Sequence, residues 1–319
     1  MTDNQGRTKP RRARRAEADS VFRLLTLVFA SSITFLTLLY FYELLTGSSL
    51  TLKLGPGFIT GSTWDPLRGV FGALPMLYGS LVTAAIGLII GVPTSLGVAI
   101  FISELAPQRL KFPIGFLVEL LAAVPSVVYG FWGLFILAPF LTTYIYPYLQ
   151  RYLGFLPLFG GQIYGVSIMS AGIILAIMVI PIISAISRDA LQAVPDSQRE
   201  AAYALGATKS EAVGSSVLSY ARSGIIAAIF LGFGRAFGET MAVTFMIGNS
   251  PVIPSSLLKP GYTLASLIAN EFTEATTKAY VSSLVEAGLV LLLVTFASTF
   301  LGRLLIRRLI REREAATYL

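Results

Sequence analysis

Six long apolar segments constrain this sequence more than any other feature. Each contains at least 23 residues, and about 20 apolar residues are enough to cross the hydrocarbon core of a bilayer as a helix. No water inside a bilayer can satisfy exposed backbone groups, so a spanning segment must make its own backbone hydrogen bonds, as an α-helix does. The sequence therefore predicts an all-α integral membrane protein with six transmembrane helices. The six segments comprise residues 21–45, 76–103, 113–138, 165–187, 223–248 and 283–306.

The composition favours a membrane protein over a soluble fold. Charged residues make up 13% of the 319 residues and hydrophobic residues 55%, whereas soluble domains carry roughly 25% charged residues. Glycines and prolines within the predicted spans, such as Gly91, Pro93, Pro125 and Pro181, are compatible with membrane helices. The first segment, 21–45, is longer than the apolar core of a signal peptide, and we expect it to be retained as the first span.

The distribution of basic residues predicts the orientation of the chain. Loops on the cytoplasmic side of a membrane are enriched in lysine and arginine. Of the 24 such residues, 18 lie in the four segments on the side of the N-terminus, and 5 lie in the three loops on the opposite side. Both termini are therefore expected in the cytoplasm. The four basic segments are residues 1–23, 104–112, 188–222 and 303–319.

This orientation divides the chain into three parts. Residues 1–20 form a predicted basic and disordered cytoplasmic tail. Residues 21–310 form the predicted six-helix transmembrane domain, and residues 311–319 form a cytoplasmic C-terminal tail. Within the domain, the cytoplasmic loop 188–222 is long enough to hold structure of its own.

The loop 188–222 carries signals for two short helices. Ser197 and Glu200 have the spacing of a capping box, as do Thr208 and Glu211. Gly206 lies between them, where a glycine is suited to end the first helix. We interpret the loop as a helix–turn–helix hairpin that lies against another protein on the cytoplasmic face. An ordered connector without a partner is the alternative.

Several kinds of chemistry are excluded by what the sequence lacks. It contains no cysteine and no histidine, which removes disulfides, thiol nucleophiles, imidazole catalysis and Cys/His metal sites. No G-x-x-x-x-G-K-[ST] sequence is present, so the chain has no P-loop for ATP. A Ser–Lys dyad is unsupported because no lysine lies within a predicted span. We therefore expect no catalytic residue, no metal site and no cofactor in this chain.

Three ionisable residues fall inside the predicted spans: Glu119, Arg235 and Glu239. A charged side chain near the bilayer centre costs about 3 kcal/mol on insertion scales, so such residues face the bundle interior or a water-filled path. Arg235 and Glu239 are four residues apart, which predicts that they pair on one helix face. We interpret them, with Glu119, as part of a path for a charged solute. For the Arg235–Glu239 pair, the alternative is a salt bridge that serves only the assembly with a partner helix. For Glu119, the alternatives are that it is buried against a basic group of a partner or that it is protonated.

The hairpin sequence resembles a motif of the permease subunits of bacterial ABC importers. Glu200, Ala201 and Ala202, followed by Gly206, match the E-A-A-x-x-x-G loop of that family. The resemblance implies the type I ABC importer permease fold and a coupling hairpin that docks on a separate ATP-hydrolysing subunit. Ser219 and Ser216 depart from the family pattern, which has proline and an aliphatic residue at these positions.

A second set of motifs narrows the resemblance to the phosphate-transport permeases within that family. The stretch 234–243, G-R-A-F-G-E-T-M-A-V, is similar to a stretch that those permeases share. The segments 71–75 and 186–191, with Val194 and Pro195, are similar as well. The resemblance covers roughly residues 60–305, and it places Arg235 and Glu239 in a stretch that those permeases share.

The resemblance also implies a set of partners. These are a second, related permease (PstA-like), two copies of an ATPase that holds the ATP and Mg²⁺ (PstB-like), and an extracytoplasmic phosphate-binding protein (PstS-like). The expected location is the cytoplasmic membrane of a bacterium or archaeon. Two alternatives stay open: a permease for another oxyanion, and an ATP-independent anion channel or carrier, which would have no need of a docking hairpin.

Overall fold

A computed structural model describes the fold over residues 11–317, with side chains over 19–53 and 55–308. Six helical segments within this range are long and apolar enough to cross a membrane, which confirms the predicted number of spans. They are Asp19–Gly47, Leu74–Leu105, Ser126–Leu153, Ile168–Gln192, Lys209–Phe237 and Lys278–Arg308.

The spans and their connections are built from α-helices and one small β-ribbon. The α-helices are α1 (Arg11–Gly47), α2 (Pro56–Thr60), α3 (Leu74–Ile100), α4 (Gln108–Ala123), α5 (Ser126–Trp132), α6 (Ala138–Phe140), α7 (Tyr146–Leu153), α8 (Ile168–Gln192), α9 (Asp196–Ala204), α10 (Lys209–Glu211), α11 (Leu218–Phe237), α12 (Met241–Ile247), α13 (Leu264–Glu271) and α14 (Lys278–Thr317). Short 3₁₀ turns lie at Leu52–Leu54 and Pro157–Phe159, and π-helical turns at Phe101–Leu105, Gly133–Leu137, Leu141–Ile145 and Ala212–Val217. The strands β1 (Trp64–Asp65) and β2 (Val70–Phe71) pair antiparallel.

The third span is displaced from its predicted position. The segment 113–138 was expected to be one helix, but α4 ends at Ala123 and a new helix begins at Ser126. Val124 and Pro125 between them have extended backbone, because the residue before a proline is driven out of the helical region. Pro125 therefore breaks the helix instead of lying inside it, and the span runs over 126–153.

The fifth span also ends earlier than predicted. Helix α11 ends at Phe237 and α12 begins at Met241, so the predicted segment 223–248 contains a break. Gly238 ends α11, and the short α12 continues to Gly248, which has a left-handed φ of 86°. By contrast, Pro93 and Pro181 lie inside continuous helices as expected.

The core of the bundle is formed where α3 and α8 approach closely. Small residues on α3 make room for the facing helix: a Cβ on Gly91 would lie 2.5 Å from the Val179 side chain. On α8, a Cβ on Gly172 would lie 2.4 Å from Ile86. Close packing over small residues is how helices associate in a membrane, where no hydrophobic driving force exists between them. Helix α8 is therefore the centre of the fold, with 67% of its most apolar window buried.

The first span lies at the periphery of the bundle. None of its most apolar window is buried within the chain. It packs against α14, where a Cβ on Gly47 would lie 3.0 Å from the Val285 side chain. Residues 11–20 of the predicted N-terminal tail are helical as the start of α1, and residues 1–10 lie outside the described range. At the other end α14 continues through the predicted tail to Thr317.

A hydrogen-bonded cluster fixes the predicted outer side of the bundle. The carboxylate of Glu271 accepts hydrogen bonds from Trp64 Nε1 at 2.8 Å and from the Tyr280 hydroxyl at 2.6 Å. Tyr262, whose pKa is raised by burial, also donates to this carboxylate at 3.3 Å. The cluster ties the β-ribbon to α13 and to the start of α14.

Candidate functional site

The charged residues in the fifth span lie at its helix break. Arg235 is in the last turn of α11, and Glu239 lies in the connection to α12. The Nη1 of Arg235 donates a hydrogen bond to Oε2 of Glu239, so the predicted pair is present. Its predicted geometry was wrong, because the two residues do not share one continuous helix.

The two side chains of this pair differ in exposure. The Glu239 side chain is 2% exposed, and its Oε1 accepts a hydrogen bond from the Ala242 amide at 3.4 Å, at the start of α12. The guanidinium of Arg235 and this backbone donor both stabilise the carboxylate. The Arg235 side chain is 43% exposed in the single chain. The site therefore consists of a partly exposed guanidinium that is paired with a buried carboxylate.

The pair lies near the middle of the bundle. Gly232 on α11 packs against Ile183, and Arg235 lines the same groove as Ile182. Both isoleucines are close to the midpoint of α8, which spans residues 168–192. At this depth a lipid-facing guanidinium is costly, so the exposed face of Arg235 is suited to water, an anion or a partner protein.

Glu119 is not part of this pair. It lies on α4, which is not among the six candidate spans, and its side chain is 59% exposed. Its Oε1 is 3.3 Å from Nη2 of Arg188, so a basic group, which one alternative assigned to a partner, lies beside it within this chain. Arg188 is six residues beyond Ile182 on α8, which corresponds to about 9 Å along the helix.

The first helix of the predicted cytoplasmic hairpin is α9. Glu200, Ala201 and Ala202 lie in α9, which ends at Ala204. Gly206 follows with a φ of 84°, and a Cβ at this position would meet no atom within 4 Å. Gly206 therefore supplies the left-handed turn after the helix, as predicted. The turn is open to solvent or to a partner.

The two predicted capping boxes had different outcomes. The box of Thr208 and Glu211 is present, with the Thr208 amide donating to Glu211 Oε2 at 2.8 Å. The box of Ser197 and Glu200 was wrong: α9 begins at Asp196, Pro195 is its N-cap, and the cap makes no side-chain hydrogen bond. The second helix of the predicted hairpin is also not a separate short helix, because it continues into the fifth span.

A hollow of about 520 Å³ lies between α9 and the start of the fifth span. Ala201 and Ala202 of α9 line one side, and Ser216 and Ser219 line the other. Ser216 donates a hydrogen bond to the Gln198 carbonyl at 3.0 Å, so this departure from the family pattern fastens α9 to the span. At the tip of the loop, the side chain of Leu205 is 90% exposed.

An ion pair that sequence reasoning missed anchors α9 to the bundle. Nη2 of Arg199 lies 2.7 Å from Oε1 of Glu104 at the end of the second span. The same guanidinium donates to the backbone carbonyls of Val194 at 2.7 Å and Leu191 at 3.1 Å. The hydrogen bond to Glu104 raises the pKa of Arg199, so the charge on this guanidinium is retained. The sequence offered one signal, a glutamate directly after an apolar span.

The described side chains contain no group of three Asp or Glu residues arranged to hold a metal ion. The charged sites make ion pairs and hydrogen bonds. Arg235 offers a guanidinium to an anion in the membrane, and α9 with Leu205 offers a surface outside it.

Comparisons with known proteins identify a matching family and several relatives of similar sequence. Residues 91–311 match the family described as "Binding-protein-dependent transport system inner membrane component". The "Phosphate transport system permease protein PstC" of Xylella fastidiosa (strain 9a5c) is 46% identical over 304 residues, covering 94% of each chain. The "Probable phosphate transport system permease protein PstC" of Methanocaldococcus jannaschii is 37% identical over 295 residues, covering 90% of this chain and 93% of that protein.

A solved structure supports the fold. A chain of the MetNI methionine ABC transporter, crystallised in an inward-facing conformation, aligns with a TM-score of 0.54 at 15% identity. The alignment covers 77% of this chain and 99% of that chain. The six-helix arrangement described above therefore has the architecture of ABC importer permeases.

Proposed function

Because this chain belongs to the family of binding-protein-dependent transport system inner membrane components, we propose that it is the permease subunit of an ATP-driven importer of inorganic phosphate. The observation that carries the proposal is identity of 46% to a phosphate permease over 94% of both chains. The aligned 304 residues span nearly the whole length, so they include the segments that hold the membrane site and the cytoplasmic loop. The chain then forms one half of the translocation path, with a second, PstA-like permease as the other half.

Arg235 and Glu239 are proposed to carry the anion-conducting chemistry. A lone arginine facing the path would bind phosphate tightly and delay its release. Glu239 is buried behind Arg235 and competes with a passing anion for its guanidinium. Conduction requires such weak and exchangeable sites. Glu119, paired with Arg188, is proposed to border the same path nearer the cytoplasm.

The segment from α9 to Gly206 is proposed to dock on a separate ATPase. Glu200, Ala201, Ala202 and Gly206 are the coupling residues, and the exposed Leu205 provides an apolar contact. Two PstB-like ATPase subunits would hold ATP and Mg²⁺, since this chain has no P-loop of its own. The chain itself is proposed to have no enzymatic activity. The transport work comes from ATP hydrolysis in the assembled complex.

The remaining partner and the location follow from the same proposal. A PstS-like binding protein would deliver phosphate on the outer side, and both termini would face the cytoplasm, as the excess of basic residues on that side favours. The membrane is proposed to be the cytoplasmic membrane of a bacterium or archaeon.

The experiment is complementation of a cell that lacks its own phosphate permease. The chain is expressed with its cognate partners, and initial uptake of radiolabelled phosphate is measured at low external concentration, beside sulfate and molybdate. The proposal predicts restored uptake of phosphate and no restored uptake of the other two. Restored uptake of only another oxyanion would assign the chain to a sister importer.

A further inference from the structure

A groove of about 630 Å³ between α11 and α14 carries two arginines on its wall. One is Arg235, the membrane arginine described above. The other is Arg303, an exposed residue in the last two turns of the sixth span. The two lie on different helices and share no sequence motif, so only the fold brings them to one groove.

Packing contacts place the two arginines at different depths. Gly302 lies against the ring of Phe230, with a built Cβ 2.6 Å from that ring. Arg235 is five residues from Phe230 in the direction of the bundle midpoint, and Arg303 is one residue from Gly302 in the opposite direction. At 1.5 Å per residue the Cα atoms of Arg235 and Arg303 are therefore about 9 Å apart along the helix axes.

The wall of the groove is mostly apolar, and its polar side chains are those of Arg235, Arg303, Thr295 and Thr299. Arg235 lies at the depth of Ile182, near the midpoint of α8, and is 43% exposed in the single chain. A guanidinium at that depth faces a protein-enclosed or water-filled space, because exposure to lipid is costly. The same wall continues past Thr299 to Arg303, so Arg303 borders the cytoplasmic end of that space.

We propose that Arg303 is a second anion-binding residue, which receives phosphate from Arg235 on the cytoplasmic side of the path. This inference rests on the proposed function and extends it by one step. Within the described side chains Arg303 has no ion-pair partner, whereas Arg235 is held by Glu239. Two guanidiniums on one groove, whose Cα atoms are about 9 Å apart along the helix axes, allow an anion to leave one while it approaches the next.

The test uses the absence of cysteine from the native chain. Arg303→Cys is prepared in the complete complex and treated in detergent, before reconstitution, with a methanethiosulfonate reagent that adds either a positive or a negative group. The matched control is Arg307→Cys, one turn further along α14 and not part of the groove. Phosphate uptake and ATP hydrolysis stimulated by the binding protein are measured for each complex. The wild-type complex treated with the same reagents reports on cysteines of the partners.

The proposal predicts that Arg303→Cys lowers phosphate uptake about ten-fold, the loss expected for one charge-assisted contact. Stimulated ATP hydrolysis is retained, so less phosphate moves per ATP. The positive reagent restores uptake and the negative one does not, while Arg307→Cys transports like wild type throughout. The inference is overturned if Arg303→Cys transports normally, if both reagents act alike, or if Arg307→Cys behaves in the same way. A wild-type complex that moves ATP-dependent sulfate but no phosphate would instead overturn the proposed function, and this inference with it.

Discussion

Arg199 on α9 and Glu104 at the end of the second span form an ion pair 95 residues apart in sequence, with 2.7 Å between Nη2 and Oε1. Their side chains are 18% and 9% exposed, so the pair is largely shielded from solvent. Because Arg199 directly precedes Glu200, the pair connects the proposed ATPase-docking helix to the membrane bundle. We therefore expect movement of α9 to be passed to the second span.

Removing one member of this pair should loosen α9. We expect Glu104→Gln to destabilise the local fold by on the order of 2 kcal/mol, or roughly 30-fold in local opening, because it leaves a shielded guanidinium without its carboxylate. Hydrogen exchange of residues 196–204 measures this opening. Arg68→Gln is the matched control: its pair with Asp65 is exposed and should contribute less than about 1 kcal/mol. Unchanged exchange in Glu104→Gln would contradict the anchoring role.

The membrane pair of Arg235 and Glu239 should be required for uptake. Arg235→Gln is expected to abolish phosphate uptake while the complex still assembles, because the anion loses its cationic site. Glu239→Gln is expected to impair uptake by a different route, since an unopposed Arg235 retains the anion or mispacks. The measurement is initial uptake normalised to assembled complex. Normal uptake by an assembled Arg235→Gln/Glu239→Gln double variant would leave only a structural role for the pair.

Gly206 should be needed for coupling rather than for insertion. Gly206→Trp is expected to stop transport and to uncouple ATP hydrolysis from the binding protein, because the bulky side chain would stand where the ATPase is proposed to dock. Gly206→Asn is the control for backbone strain, since asparagine tolerates the φ of 84° better than most residues. Transport and stimulated ATP hydrolysis are measured in both. Wild-type coupling in Gly206→Trp would argue against docking at this turn.

The orientation can be tested by single cysteines, since the native chain has none. Arg68→Cys in the β-ribbon should react with a membrane-impermeant maleimide in intact cells. Ser210→Cys, after Gly206, should react only after the membrane is opened. The labelled fraction is read by a mobility shift. Labelling of Ser210→Cys from outside would reverse the topology and remove the basis for a cytoplasmic docking helix.

The number of spans could be predicted from the sequence, but the helix breaks within two of the predicted segments could not. The hydropathy of a segment indicates whether the segment is buried in the membrane, but it does not indicate where the helix within that segment breaks. The break at Pro125 and the break between Phe237 and Met241 therefore lay inside windows that read as continuous. Pro93 and Pro181 lie inside continuous helices, so the presence of a proline alone does not predict where a helix breaks.

The candidate site was predictable where its residues are close in sequence. Arg235 and Glu239 pair, and Gly206 ends α9 in a left-handed turn, as short-range spacing suggested. The contacts of Arg199 with Glu104 and of Glu119 with Arg188 join segments 95 and 69 residues apart. No local pattern encodes such contacts, because they depend on how the helices pack around α8.

The central claim is that this chain conducts phosphate only as part of an ATP-driven complex. The most direct measurement is uptake of radiolabelled phosphate into proteoliposomes that contain the chain, its partner permease and the ATPase, with binding protein on the uptake side and ATP on the opposite side. The account predicts accumulation that requires ATP, Mg²⁺ and the binding protein together and stops with a non-hydrolysable ATP analogue. Phosphate flux of equal rate without ATP, or through this chain alone, would contradict it and identify an ATP-independent channel or carrier.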